Sequence, residues 1–207
     1  MAKFPEPPTP ETLALVEADI KSIRAGALFW RIYFQGGRHP ARWNDFRHFG
    51  PTLGRFDPHV PPPRVQARAV FYAAGHGPTC LAEVFQETRL IDRTGQGPWL
   101  VAFKLKRAVQ LLDLTGTWPT RAGTSTAIAS GSRLRAQRWS RAIYAAYPRL
   151  QGVYYGSSMY ASRPAVALFE RAVGAVPKDP VFHRPLADPI LVDMLKNAAK
   201  DLGYGLI

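Results

Sequence analysis

Residues Ala69–Phe85 read AVFYAAGHGPTCLAEVF. The first six have the apolar, aromatic character of a buried strand. The segment GHGP then turns the chain, and from near Thr79 the residues Leu81, Ala82, Val84 and Phe85 share one side of a helix. Strand, turn and helix thus succeed one another within about twenty residues. Two polar side chains interrupt this apolar stretch: Tyr72 in the strand and Glu83 on the helix, on the side away from its apolar residues.

Working towards the N-terminus, Gln35 to Arg68 is rich in Gly, Pro, His and Arg and predicts a long irregular connection, a length at which loops tend to be functional. Before it, Ala27–Phe34 (ALFWRIYF) predicts a strand with Phe29, Arg31 and Tyr33 on one face and Leu28, Trp30, Ile32 and Phe34 on the other. Thr9, Pro10 and Glu11 open a leading amphipathic helix carrying Leu13, Val16, Ile20 and Ile23. Towards the C-terminus, Trp99–Lys106 predicts a strand with one better-buried face, and Ala108–Leu114 another. Arg133–Tyr147 is a helix stopped by Pro148, Gly152–Ser157 a short strand, Pro164–Val173 a short helix, and Asp188 with Pro189 starts a last helix. Strands and helices mix irregularly, without repeated strand-helix-strand units. The fold expected is therefore α+β, one mixed central β-sheet flanked by helices.

The 207 residues, 46% of them hydrophobic, suffice for one substantial core and do not require a second domain. An aromatic content of 12% sets the chain apart from disordered sequences despite 19 prolines and 17 glycines. The single cysteine, Cys80, cannot form an internal disulfide, and Met1–Pro10 lacks the apolar core of a secretory signal, so a cytoplasmic location is expected. No run approaches the length of a membrane span. Twenty-seven basic against fifteen acidic residues leave +12, a balance that attracts nucleic acid, anionic metabolites or an acidic partner.

Several chemistries lack support. There is no Walker loop and no GxGxxG, so phosphate recognition falls to side chains. The five histidines show no HExxH or Cys/His spacing, and no metal site is expected. The GSS at 156–158 is not a GxSxG elbow. What stands out instead is a set of polar residues in apolar surroundings: Arg31, Tyr72, Glu83 and Ser157. Burial of such groups without partners costs several kcal/mol, so each needs a partner or a task. Taken singly, each has a plainer reading: Arg31 as an edge-strand residue with its head in solvent, Tyr72 as core, Glu83 as a solvated carboxylate and Ser157 as a turn residue.

Their order along the chain, with Arg55 added, resembles the RES-domain proteins, toxin halves of bacterial toxin–antitoxin modules. The pieces that carry the resemblance are GRFDP at 54–58, FYAA at 71–74, LAE at 81–83, GVYYGS at 152–157 and VALF at 166–169, covering about Ala27 to Val173. The resemblance implies a fold similar to that of ADP-ribosyltransferases and an activity that degrades NAD, as substrate and with no cofactor, by breaking the nicotinamide–ribose bond with water or phosphate as acceptor. It further implies a cognate antitoxin carrying a DNA-binding region, so that nucleic acid is met only through that partner. On this basis residues 27–175 form the NAD-binding catalytic domain, 1–26 an N-terminal helical extension, and 176–207 a linker and helix packing on the same domain. Arg31, Glu83 and Ser157 are the catalytic candidates, and Arg31, Arg55, Tyr72 and Ser157 the candidates for substrate binding, with Ser158 adjacent to the site serine.

The residue chemistry suits that task. Glycosidic cleavage passes through an oxocarbenium-like state that a carboxylate stabilises, and nicotinamide departs neutral, so no strong general acid is required. Guanidinium groups bind diphosphate oxygens. Two other readings stay open on the sequence: ADP-ribosyl transfer to a protein, and a basic nucleic-acid-binding module using stacked aromatics.

Overall fold

The computed structural model describes residues 3–207; Met1 and Ala2 of the expected N-terminal extension lie outside the described residues. In chain order the elements are α1 (Pro10–Leu13), β1 (Ile20–Ile23), β2 (Leu28–Phe34), β3 (Arg47–Gly50), β4 (Arg64–Ala74), α2 (Gly77–Val84), β5 (Leu90–Ile91), β6 (Pro98–Lys104), β7 (Val109–Asp113), α3 (Trp118–Arg121), α4 (Arg133–Ala146), β8 (Gly152–Gly156), β9 (Pro164–Phe169), β10 (Phe182–Pro185), α5 (Val192–Leu202) and β11 (Gly205–Leu206). Nine strands form one sheet in the order β1-β7-β8-β9-β4-β2-β6-β10, with β3 also paired to β4. Only β7 and β8 run parallel in it, which makes the sheet mixed and the fold α+β, as the sequence predicts.

Each face of the sheet carries its own core. On one, Leu13, Leu81, Trp118, Trp139 and Leu195 bring α1 to α5 against strand residues such as Ile32, Leu100 and Val153. On the other, Phe29, Tyr33, Phe71, Phe103 and Leu168 are covered by Trp43 and Phe46, from the connection after β2, and by Ala172 and Ala175 of a 3-10 turn. The flanking helices thus gather on one side, and irregular chain seals the other.

Four expectations change. The leading helix ends at Leu13, and Ile20 and Ile23 belong to β1, paired with Leu112 and Val109. The Tyr147 hydroxyl bonds the carbonyls of Leu13 (2.9 Å) and Val16 (2.8 Å), taking up oxygens a longer helix would use, and sheet pairing claims the rest. The connection from 35 to 68 contains β3 and the start of β4; these segments (RHFG and RVQAR) lack apolar alternation because much of their surface is in solvent. Pro164–Val173 is not a helix. Ala165 to Phe169 are all buried in the interior strand β9, and a run buried on both faces has no periodicity to separate strand from helix. For the same reason β6 buries both its faces rather than one.

The β8–β9 contact depends on Gly152. Its φ is +151°, and a Cβ there would lie 2.3 Å from the Ala167 carbonyl oxygen. Gly152→Ala is expected to cost about 2 kcal/mol, a fall in Tm of roughly 4–8 °C for a chain of this size, measurable by calorimetry.

Candidate functional site

Strand β4 meets β2 through a single residue pair, Trp30 with Ala74, whereas β2 pairs with β6 along its whole length. Four residues further back, Val70 of β4 pairs with Arg47 of β3. Between these two points the sheet opens, and a cleft of about 870 Å³ occupies the opening. Its lining comes from both faces: Arg31, Asp45 and Phe46 on one, Tyr72, Cys80, Glu83 and Tyr155 on the other. Small residues make the room. Ala165 of β9 stands between Tyr155 of β8 and Ala74 of β4, and Ala167 between Val153 and Tyr72.

Helix α2 sets the carboxylate. Pro78 lies in its first turn, where a missing N–H costs nothing, and Cys80 anchors it by donating from Sγ to the Trp30 carbonyl (3.1 Å). Glu83 follows in the last turn and faces the cleft. The Ser157 hydroxyl accepts backbone N–H groups from Met159 (3.1 Å) and Tyr160 (3.2 Å), and its own proton is therefore directed to Glu83 Oε1, 2.5 Å away. Ser157 thus fixes the carboxylate as an acceptor at Oε1 and leaves Oε2 for the cleft. It is only 1% exposed and does not line the cleft, whereas Ser158 does. In this structure Ser157 meets Glu83 behind the cleft wall. The reason is the turn after β8, which directs two N–H groups at its oxygen.

Arg31 lies on the predicted face of β2, its guanidinium 4.0 Å from the ring centroid of Phe71 across the opening. Its Nε and Nη1 are buried without a hydrogen-bond partner among the described residues. Burial pushes its pKa down to about 10, with Asp45 opposing and Arg47 adding to the fall, so it stays cationic at neutral pH. Arg55 lines the opposite wall and donates from Nη1 to the Gly131 carbonyl (2.6 Å); burial and the neighbouring Arg133 lower its pKa. Tyr72 shows its ring to the cleft while its hydroxyl accepts the Phe56 N–H (3.0 Å), and burial raises its pKa. The cleft therefore gathers Arg31, Arg55, Tyr72 and Glu83, and Ser157 stands behind Glu83.

The sequence matches the RES domain over residues 28–187. The chain belongs to the RES domain family. The match extends past the pieces legible in the sequence to take in β10, the strand that closes the sheet beyond β6. The RES fold here is similar to the crystal structure of the M. tuberculosis MbcT–MbcA toxin–antitoxin complex, with a TM-score of 0.60 at 16% identity over 91% of this chain and 97% of that one. No match is found among curated protein sequences.

The wall from Gly50 to His59 in this RES domain is held from several sides. Gln137 donates to the carbonyls of Thr52 (2.6 Å) and Gly54 (2.9 Å), and Tyr72 binds Phe56 as above. Gly54 is required there, since a Cβ would lie 2.7 Å from the Tyr72 hydroxyl. Asp57, fully buried, accepts from Arg47 Nη2 (2.9 Å), from Thr52 N (2.9 Å) and from both His59 Nδ1 and the His59 N–H (3.2 Å). Burial opposes ionisation, but these donors outweigh it and hold the Asp57 carboxyl well below its ordinary value of 3.8. Sequence reading missed this cluster, and it missed Tyr155 and Arg133 in the cleft lining. The one available signal was a carboxylate two residues from a histidine inside an arginine-rich segment.

A carboxyl group depressed in the folded state adds stability above its unfolded pKa and loses it as the pH falls through 3.8 and below. Asp57→Asn should cost about 3 kcal/mol or more at pH 7, leaving Arg47 and His59 facing a neutral amide. Its denaturant midpoint should vary less than the wild-type midpoint between pH 5 and about 3.

Proposed function

We propose that this RES domain is an enzyme that cleaves the nicotinamide–ribose bond of NAD, with water or phosphate as acceptor, and that it is the toxin of a toxin–antitoxin module. The observation that carries the reading is the pairing, across one cleft, of an oriented carboxylate with a buried guanidinium whose Nε and Nη1 have no hydrogen-bond partner among the described residues. An anionic ligand relieves the desolvation of Arg31, and the fixed Glu83 supplies the one negative charge that a developing oxocarbenium needs.

In this reading Arg31 and Arg55 hold the diphosphate of NAD. Glu83 Oε2 accepts from a ribose hydroxyl and faces the anomeric carbon, while the Ser157 proton keeps Oε1 occupied. The glycosidic electron pair leaves with nicotinamide, which departs as a neutral amide, so the cleft needs no strong general acid. The Tyr72 ring stacks on nicotinamide, its hydroxyl already committed to Phe56. Positioning and electrostatics supply the acceleration. The chain's partner in this reading is an antitoxin carrying a DNA-binding region; family membership and the likeness to the MbcT–MbcA toxin–antitoxin complex support the antitoxin. The net charge of +12 suits both an anionic dinucleotide and an acidic protein surface.

The test is product analysis of NAD incubated with purified chain free of any copurified partner, with and without phosphate. Nicotinamide release is expected, falling at least about 100-fold in Glu83→Gln, which keeps the shape and removes the charge. Ser157→Ala should fall about 10-fold, the worth of one charge-assisted hydrogen bond. NAD left intact under both conditions contradicts cleavage. With labelled NAD, radioactivity on a macromolecule would assign ADP-ribosyl transfer instead.

A further inference from the structure

Arg47 belongs to none of the roles above, yet it stands at the mouth of the same opening. It starts β3 and pairs with Val70, while Arg31 follows directly on Trp30, which pairs with Ala74. The two arginines thus flank four residues of β4 edge, roughly 13 Å at the rise of a strand, and side chains of their length reach inward from each end. Each lines the cleft, and the charge of Arg47 is one of those that disfavour the charged form of Arg31. Asp45 is the carboxylate on the Arg31 side. Two cations held against one opening repel each other until an anion lies between them.

The mounting of Arg47 is unusually complete. Its Nη2 donates to Asp57 Oδ2 and its Nη1 to the Phe49 carbonyl, which leaves Nε–H and the outer hydrogens uncommitted. Asp57 cannot turn to follow a moving guanidinium. Its Oδ2 also accepts from Thr52 N (2.9 Å) and Thr52 Oγ1 (3.3 Å), and its Oδ1 from the backbone and the imidazole of His59. The carboxylate fixes the His59 proton on Nδ1, so Nε2 is left as a buried nitrogen without a partner among the described residues. Even the glycine beside them takes part: a Cβ at Gly50 would lie 2.4 Å from His59 Nδ1. A buried carboxylate held in this way is a poor source of net stability compared with apolar packing, and it is better suited to fixing one orientation.

We infer that Arg47 is a third cation for the diphosphate of a dinucleotide ligand, and that the buried Asp57–His59 pair is the positioning device that aims it. The inference rests on the reading of the cleft as a dinucleotide site, and it is testable without turnover. ADP-ribose, which carries the diphosphate and no scissile nicotinamide bond, serves as the probe in calorimetric titration. Arg47→Gln is expected to weaken its binding at least about 10-fold, and Arg47→Lys to recover part of that loss, because an ammonium restores charge but not the planar fork. In turnover the same substitution should raise KM for NAD more than it lowers kcat, the mark of a binding group remote from the bond broken. Thermal melts establish that each variant is folded; should Arg47→Gln fail to fold, Arg47→Lys, which keeps the charge against Asp57, decides by the same titration. Wild-type affinity in the folded Arg47 variants overturns the inference. A wild-type chain that does not bind ADP-ribose overturns it together with the dinucleotide reading, whereas one that binds ADP-ribose and leaves NAD intact overturns cleavage alone.

Discussion

The divergence of β2 from β4 after one shared residue pair is the constraint on which the rest depends. Strand β2 is committed to β6 over all seven of its residues, and β4 to β9 over five. Neither can follow the other, and the sheet holds together there only through Trp30 and Ala74. An opening inside a sheet exposes backbone groups and leaves side chains without neighbours, both of which are costly. The chain meets that cost locally. Helix α2 lies beside the junction with Cys80 bonded to Trp30, β3 occupies the far end of the same β4 edge, and Trp43 and Phe46 seal the reverse side. What remains is a cleft with rigid walls, reached by residues from both faces of one sheet.

Charge is distributed around that cleft in a consistent way. Asp57 lies behind the wall and pairs with Arg47, which lines the cleft, and at the rim Arg133 pairs with Glu87. The groups aimed inward are held by one side only. Glu83 is bound at Oε1, Arg55 at Nη1, and Arg31 rests on the face of Phe71 with two nitrogens unmatched. Half-satisfied groups of this kind reduce stability in the free protein and are completed by a complementary ligand. The segment from Gly50 to His59, part of the long connection after β2, is a fixed wall because Gln137, Tyr72 and Asp57 each bind its backbone.

Legibility in the sequence followed the physics of each element. The strand at Ala27–Phe34 was readable because its residues are strand formers, and the helix at Arg133–Tyr147 because its apolar residues recur at helical spacing. Strand β9 was not, since burial on both faces erases the period, and β3 was not, since its residues owe their conformation to β4. The same division holds in the site. Arg31, Tyr72 and Glu83 were conspicuous as polar residues in apolar runs. Arg47 and Asp57 sit in a polar, turn-rich segment where a charge is unremarkable, and only the fold brings them against the opening. Ser157 was found by its position in a motif, but its task depends on two N–H groups from residues that follow it, a fact of turn geometry that residue identity does not carry.

The central claim is that the opening between β2 and β4 receives NAD with its glycosidic bond at Glu83 and its diphosphate at Arg31. A crystal structure of the Glu83→Gln chain grown with NAD tests it most directly. The account predicts intact NAD in the cleft, its anomeric carbon beside the amide of residue 83 and its phosphate oxygens against the Arg31 guanidinium. NAD bound elsewhere on the chain, or an empty cleft at NAD concentrations that saturate turnover by the wild-type chain, would contradict it.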